Sequence, residues 1–173
     1  MKNRLIEESN FSYYVDRVIE NEKVKSQTKF SKFLEMARTM AVSSKFDTYK
    51  IGATVTLKGR AIATGCNSYK THPKQKHYNK QRTNFDEEAK HFTHAEIAAL
   101  NKLKEIDLKD AELFVYRKGT DDKPKMSRPC AACMKAIKDR GIKVIHYTTS
   151  EGVATEYLSK DILTSVKKAK FPI

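Results

Sequence analysis

Two short stretches of the chain hold residue types that can do metal chemistry. One is His94-Ala95-Glu96; the other is Pro129-Cys130-Ala131-Ala132-Cys133. An imidazole and two thiolates are the donors that zinc takes in a tetrahedral site, and three protein ligands leave a fourth position for water, the mark of a catalytic centre. Two thiolates and a neutral imidazole cancel the ion's charge, and the ion lowers the pKa of its bound water toward ~7. Glu96 stands two residues past the histidine, on another side of the helical turn. It can face that water without being a ligand, take a proton from it and pass the proton to a leaving amine. Singly, a C-x-x-C or an H-x-E is a weak signal. In this order, each opening a predicted helix behind a β segment, they are specific.

The elements that must position these residues are legible in outline. Apolar positions Phe30, Phe33, Leu34, Ala37, Met40 and Ala41 share one face, which predicts a helix over 30–42. Two β-rich runs, 50–57 and 60–66, are split by Lys58-Gly59, a hairpin signal. Helices are expected over 94–103, with Ile97 and Leu100 inward, and over 129–140, opened by Pro129 and closed by Gly141. Strands are expected at 111–116 and 142–147, and a last helix at about 153–166. The stretch 68–93 carries no useful period and reads as a long functional loop. Residues 1–29 read as a helical appendage to a domain spanning 30–173. The order α-β-β-α-β-α-β implies a mixed sheet between layers of helices.

Composition sets the class. The chain has 173 residues, enough for one domain with a real core and no disulfide staples. Lys and Arg number 34 against 21 Asp and Glu, a net charge of +13, which favours anionic partners such as nucleotides or nucleic acid. Three cysteines without a secretion signal argue against a disulfide framework. Cys66 reads as a small core residue. No stretch approaches the ~18 apolar residues of a membrane helix, and MKNRLIEESN lacks the apolar region of a signal peptide. A cytoplasmic protein with no membrane partner is expected.

His94-Ala-Glu96 followed by Pro129-Cys130-Ala-Ala-Cys133 resembles the signature of the cytidine/deoxycytidylate deaminase superfamily, nearest its deoxycytidylate deaminases. Ile51-Gly52-Ala53 resembles the family's strand segment beneath the base. Gly65-Cys66-Asn67 is similar to the Gly-x-Asn that ends the second strand, and Gly141–Tyr147 to the strand after the Cys helix. The match spans about 30–150. The resemblance implies a three-layer α-β-α fold with a mixed sheet of about five strands, a Zn2+ cofactor held by His94, Cys130 and Cys133, and Glu96 as the catalytic residue. It implies hydrolytic deamination: water adds to the ring carbon bearing the amine, Glu96 serves the ring nitrogen and then the amine, and ammonia leaves. Substrate contacts are expected from Ala53, Asn67, Ala95 and the main chain near Arg128.

Lys70, Lys74, Arg82, Arg117 and Arg128 are candidates for a phosphate. The basic 68–93 segment lies where deoxycytidylate deaminases carry extra sequence, and few aromatics flank the Cys helix to stack neighbouring bases. A free cytosine nucleotide, deoxycytidylate first, is therefore the expected substrate. A deaminase acting on nucleic acid (tRNA adenosine or single-stranded cytosine) is the alternative, and an idle zinc domain a third reading that Glu96 opposes. Self-association is expected from the family. Two departures stand out: Ser68 replaces a common glycine, and His72, His77 and His91 offer a second zinc site only Cys66 as sulfur.

Overall fold

The computed structural model describes residues 27 and 30–158. The expected appendage over 1–29, apart from residue 27, and the basic tail at 167–170 lie outside the described residues. The sheet and the candidate ligands belong to the second of two compact units, Phe33–Ile173, the first being Met1–Lys32.

Helix α1 covers 30–42, as its apolar spacing predicts. Strands β1 (Lys50–Leu57) and β2 (Arg60–Cys66) form the expected hairpin. Lys58 and Gly59 both take positive φ, 50° and 71°, which is the twist-matched two-residue turn that suits a hairpin. After β2 come β3 (Ser68–Thr71), α2 (Pro73–Asn79), β4 (Phe92–Thr93) and α3 (Ala95–Leu100), the last running into a 3₁₀ turn at Asn101–Leu103. The chain continues as β5 (Ala111–Lys118), β6 (Pro124–Lys125), α4 (Ala131–Asp139), β7 (Val144–Thr149) and β8 (Gly152–Tyr157).

The main sheet runs β2-β1-β5-β7-β8, with β6 added to β5. β5 and β7 are parallel and the other pairs antiparallel, so the sheet is mixed, as expected. Successive side chains alternate between its faces. Ala53, Val55, Leu113, Val115 and Ile145 meet Ile97, Ala99 and Leu100 of α3 and Cys133, Ala136 and Ile137 of α4 in one apolar core. Each large aliphatic buried there contributes roughly 1.5–3 kcal/mol relative to exposure. On the other face Phe114 packs against Phe33 of α1, ring centroids 5.4 Å apart, and stacks on His146 at 4.4 Å.

Two expectations are corrected. The segment from Val153 read as a helix begins as strand β8, because Thr148 and Thr149 turn through Gly152, at φ 142°, and pair with it. This strand is the fifth of the sheet. The stretch 68–93 is not a bare loop: β3 and β4 pair into a small second sheet and α2 sits between them. Its helix is seven residues long with few inward apolar positions, and its two strands are shorter still, too little for a period to register.

Candidate metal centre

His94 and Cys130 occupy equivalent places. Each is the cap residue before its helix, α3 or α4, in extended conformation, with φ, ψ of −79°, 155° and −68°, 167°. Neither side chain caps its own helix, so both are free to turn toward each other. Cys133 lies one turn into α4, fully buried. The His94 Nδ1 atom is 3.4 Å from Cys133 Sγ and 3.6 Å from Cys130 Sγ. A tetrahedral zinc with Zn–S of ~2.3 Å and Zn–N of ~2.0 Å would hold such atoms ~3.5 Å apart. The donor set and its spacing therefore fit zinc. Among the described residues this is the group of three His, Cys or acidic donors that converges in this way.

Charge is arranged to suit a cation. A hydrogen bond from Cys133, helped by His94, holds the Cys130 thiol down to about 2 against the penalty of burial. Cys133 is pushed up by its bond to Cys130, by burial and by Glu96, so Cys130 is the sulfur that ionises first. Burial pulls His94 down, but its bond to Cys130 and the nearby Glu96 outweigh that and leave it raised. Glu96 is buried beside Cys133 on α3. Desolvation raises its pKa, with His94 acting in the opposite sense. A carboxyl held toward its neutral form can both give and take a proton.

The expected substrate contacts spread more widely. Ala53 and Ala95 are fully buried where β1 meets α3. Arg82 is brought in: its Nη2 lies 3.2 Å from His94 Nε2 and 3.3 Å from Cys130 Sγ. Asn67 follows β2 directly, buried, with its amide engaged by the chain itself. It donates to Tyr49 O and accepts from the Ile51 N–H at 2.9 Å and the Ser44 hydroxyl at 2.7 Å. Arg128 turns away to a two-pronged ion pair with Glu156, 2.8 Å on each prong, which raises its pKa. Lys70 is exposed on β3. Lys74 is exposed on α2, and Arg117 lies over the Tyr49 ring at 4.5 Å. His72 caps α2 by accepting from the Lys74 N–H, His77 meets the edge of Tyr78 and His91 stacks on Phe85; with Cys66 they form no second cluster.

Sequence reasoning missed the residues that hold the candidate ligands in place. Ser127 donates to Val115 O and accepts from the Thr148 N–H, both at 2.9 Å, while Thr148 donates to Lys125 O at 2.7 Å. These bonds pin the approach to Cys130 onto β5 and β7. On the other side the His94 N–H donates to Gln75 Oε1 at 2.9 Å. The only sequence signal for Gln75 is a polar residue four before the end of a short polar helix, which is no signal at all. Ser127, two residues before Pro129, could have been noted as a turn former.

Residues 27–149 match the family described as the cytidine and deoxycytidylate deaminase zinc-binding region. Among solved structures, cytidine deaminase from Burkholderia pseudomallei superposes with a TM-score of 0.51 at 15% identity, covering 74% of this chain and 91% of that one. A dCMP deaminase from the cyanophage S-TIM5 aligns with a TM-score of 0.48 at 24% identity, over 71% and 83% of the two chains. No curated protein matches in sequence.

Proposed function

Since the chain belongs to the cytidine and deoxycytidylate deaminase family, whose members are hydrolytic enzymes, we propose that it is a zinc-dependent deaminase of a free cytosine nucleotide, converting deoxycytidylate to deoxyuridylate and ammonia. One observation carries this reading: His94 Nδ1 and the two sulfurs stand at tetrahedral zinc spacing with a buried carboxyl, Glu96, alongside. Bound there, zinc would supply a water acidic enough to attack at neutral pH.

The chain's own residues do the rest. Glu96, favoured in its neutral form by burial, donates to the ring nitrogen of the base, takes the proton of the attacking water and returns it to the departing amine. The start of α3 at Ala95, with Ala53 behind it, forms the apolar floor for the base. Asn67, its amide occupied by Tyr49, Ile51 and Ser44, shapes the loop at the sugar end.

Arg82 is the residue we assign to the phosphate. With Nδ1 of His94 as ligand, Nε2 carries the ring proton, and a guanidinium has no acceptor to offer it. That leaves the Arg82 donors for the Cys130 sulfur and for an anion beside it. Lys70 and Arg128 are weaker candidates, the first exposed on β3 and the second already paired with Glu156. The net charge of +13 favours a second reading, a polynucleotide substrate. Ammonia release from cytidine, CMP, dCMP, dCTP and a single-stranded oligonucleotide, each over a salt series, separates the two. The proposal expects dCMP to lead with a shallow salt dependence; a leading oligonucleotide whose turnover collapses with salt overturns it.

A further inference from the structure

Behind the candidate ligands runs a line of buried amides that the reaction does not use. Gln75 of α2 is fully buried, and Asn79 and His91 nearly so. Gln75 Oε1 accepts from the main-chain N–H of His94 at 2.9 Å. Gln75 Nε2 donates to Asn79 Oδ1 at 2.8 Å, and Asn79 Nδ2 lies 2.9 Å from His91 Nδ1.

The direction of this line is dictated at one end. A main-chain N–H can only donate, so the Gln75 oxygen must face it. The Gln75 nitrogen then faces the Asn79 oxygen, and the Asn79 nitrogen faces His91 Nδ1, which must accept. His91 therefore carries its ring proton on Nε2. Each amide of this chain is bonded at both ends, and turning either one leaves two donors or two acceptors opposed in a dry environment, which makes the chain rigid. The His91 Nε2 at its far end is buried with no partner among the described residues. His94 is the cap residue of α3, and its N–H has no partner within the helix. The acceptor it finds among the described residues comes from a segment 19 residues earlier.

We infer that Gln75 is a positioning residue for the metal centre: the amide line Gln75-Asn79-His91 fixes the main chain at His94 and so aims Nδ1 at the two sulfurs. The 73–91 segment then has a task distinct from any contact with substrate. It is a brace for one ligand, and α2 exists to hold Gln75 and Asn79, one turn apart, on the same buried side. This inference rests on His94 being a zinc ligand, as proposed above.

The test compares zinc affinity, by chelator competition, in the wild type, Gln75→Leu and Gln75→Glu, with thermal melts of the metal-free proteins. Glu, held neutral at this fully buried position, keeps an oxygen for the His94 N–H and an O–H for Asn79 Oδ1; Leu keeps the volume and loses both. Gln75→Leu is expected to weaken zinc by ~10–100-fold, the usual effect of removing a partner that orients a ligand. Gln75→Glu should stay within ~3-fold of wild type. The cobalt form of Gln75→Leu should show a shifted visible spectrum and that of Gln75→Glu should not. A merely structural glutamine predicts the reverse: lower melting temperatures in both variants with zinc affinity and spectrum unchanged, which overturns the inference. If Gln75→Leu does not fold, Gln75→Met carries the same comparison. A wild type that binds no zinc would instead sink the functional reading. Nitrogen NMR of His91 should show the Nε2–H form, and the Nδ1–H form would break the line and overturn the inference.

Discussion

Gly52 and Gly65 lie on neighbouring strands and open opposite faces of the sheet. A Cβ on Gly52 would overlap the Ala37 carbonyl and the Ala41 nitrogen of α1. A Cβ on Gly65 would lie 2.5 Å from Ala99 N and 2.6 Å from Ala95 O of α3. The packing device is the same: a strand glycine lets a helix backbone come close. What the two helices carry differs. α1 brings Phe33, Leu34, Ala37 and Ala41, all apolar cover. α3 brings the same kind of cover in Ile97 and Leu100, but also His94 at its cap and Glu96 in its first turn. One face is packed for stability alone. On the other, packing also sets where the proposed ligand His94 and the proposed proton carrier Glu96 stand. The lesson is that equal steric defects should have unequal consequences.

The largest effect should come from removing a ligand on the α3 face. Cys130→Ser is expected to lose bound metal, turnover and thermal stability together, since ligand binding is linked to folding. Metal analysis with a melting curve checks it, and full zinc occupancy in the variant would remove Cys130 from the ligand set. Next comes Glu96→Gln, expected to keep zinc and fold while turnover falls by ~10²–10⁴-fold. Single-turnover rates beside zinc content decide this; a normal rate would hand the proton transfer to another group.

The glycine pair sharpens the contrast directly. Gly52→Ala and Gly65→Ala should each destabilise by ~1–3 kcal/mol or more, as overpacking does, with Gly52→Ala the worse because its clash is closer. Only Gly65→Ala should also weaken zinc in the folded protein. Urea melts and chelator competition on both variants would show it, and equal zinc affinities would dissolve the distinction between the faces.

Ser127→Ala removes the hydroxyl that joins Val115, Thr148 and the approach to Cys130. It should cost ~1–3 kcal/mol, the penalty of leaving buried groups unpaired, read from the same melts. The smallest effect belongs to the α1 face. Glu112 is held below the ordinary carboxylate value by its hydrogen bond from His146. A depressed carboxylate stabilises the fold above its unfolded pKa, and that contribution fades as pH falls through the folded value. Glu112→Gln should therefore lower stability by less than ~1 kcal/mol near neutrality, since the group is half exposed. The difference from wild type should vanish in strong acid; one that grew on acidification would contradict the assignment.

Much of this was legible beforehand because it rests on local order. The hairpin at Lys58-Gly59, the α1 stripe and the stop at Gly141, whose φ is 82°, each follow from neighbours a few residues apart. The corrections fall where local signals mislead. Val153 to Tyr157 has too few residues for a period to speak, and only pairing with β7 makes it a strand. The small β3–α2–β4 unit is held by side-chain bonds such as Thr93 to Lys70 O and by the contact of the Tyr69 and Phe92 rings, centroids 5.3 Å apart, neither of which imposes a period on the chain.

The same division runs through the site. From the sequence alone came the donor types, their order and the helices they open, because coordination chemistry restricts ligands to a few residues and caps have fixed positions. Only the tertiary structure decided that Arg82 reaches Cys130 across 48 residues, that Arg128 turns to Glu156, and that Gln75 holds the main chain at His94. A hydrogen bond between one side chain and a distant atom depends on where two elements come to rest. It imposes no spacing and no periodicity on the chain, so nothing in the order of residues records it.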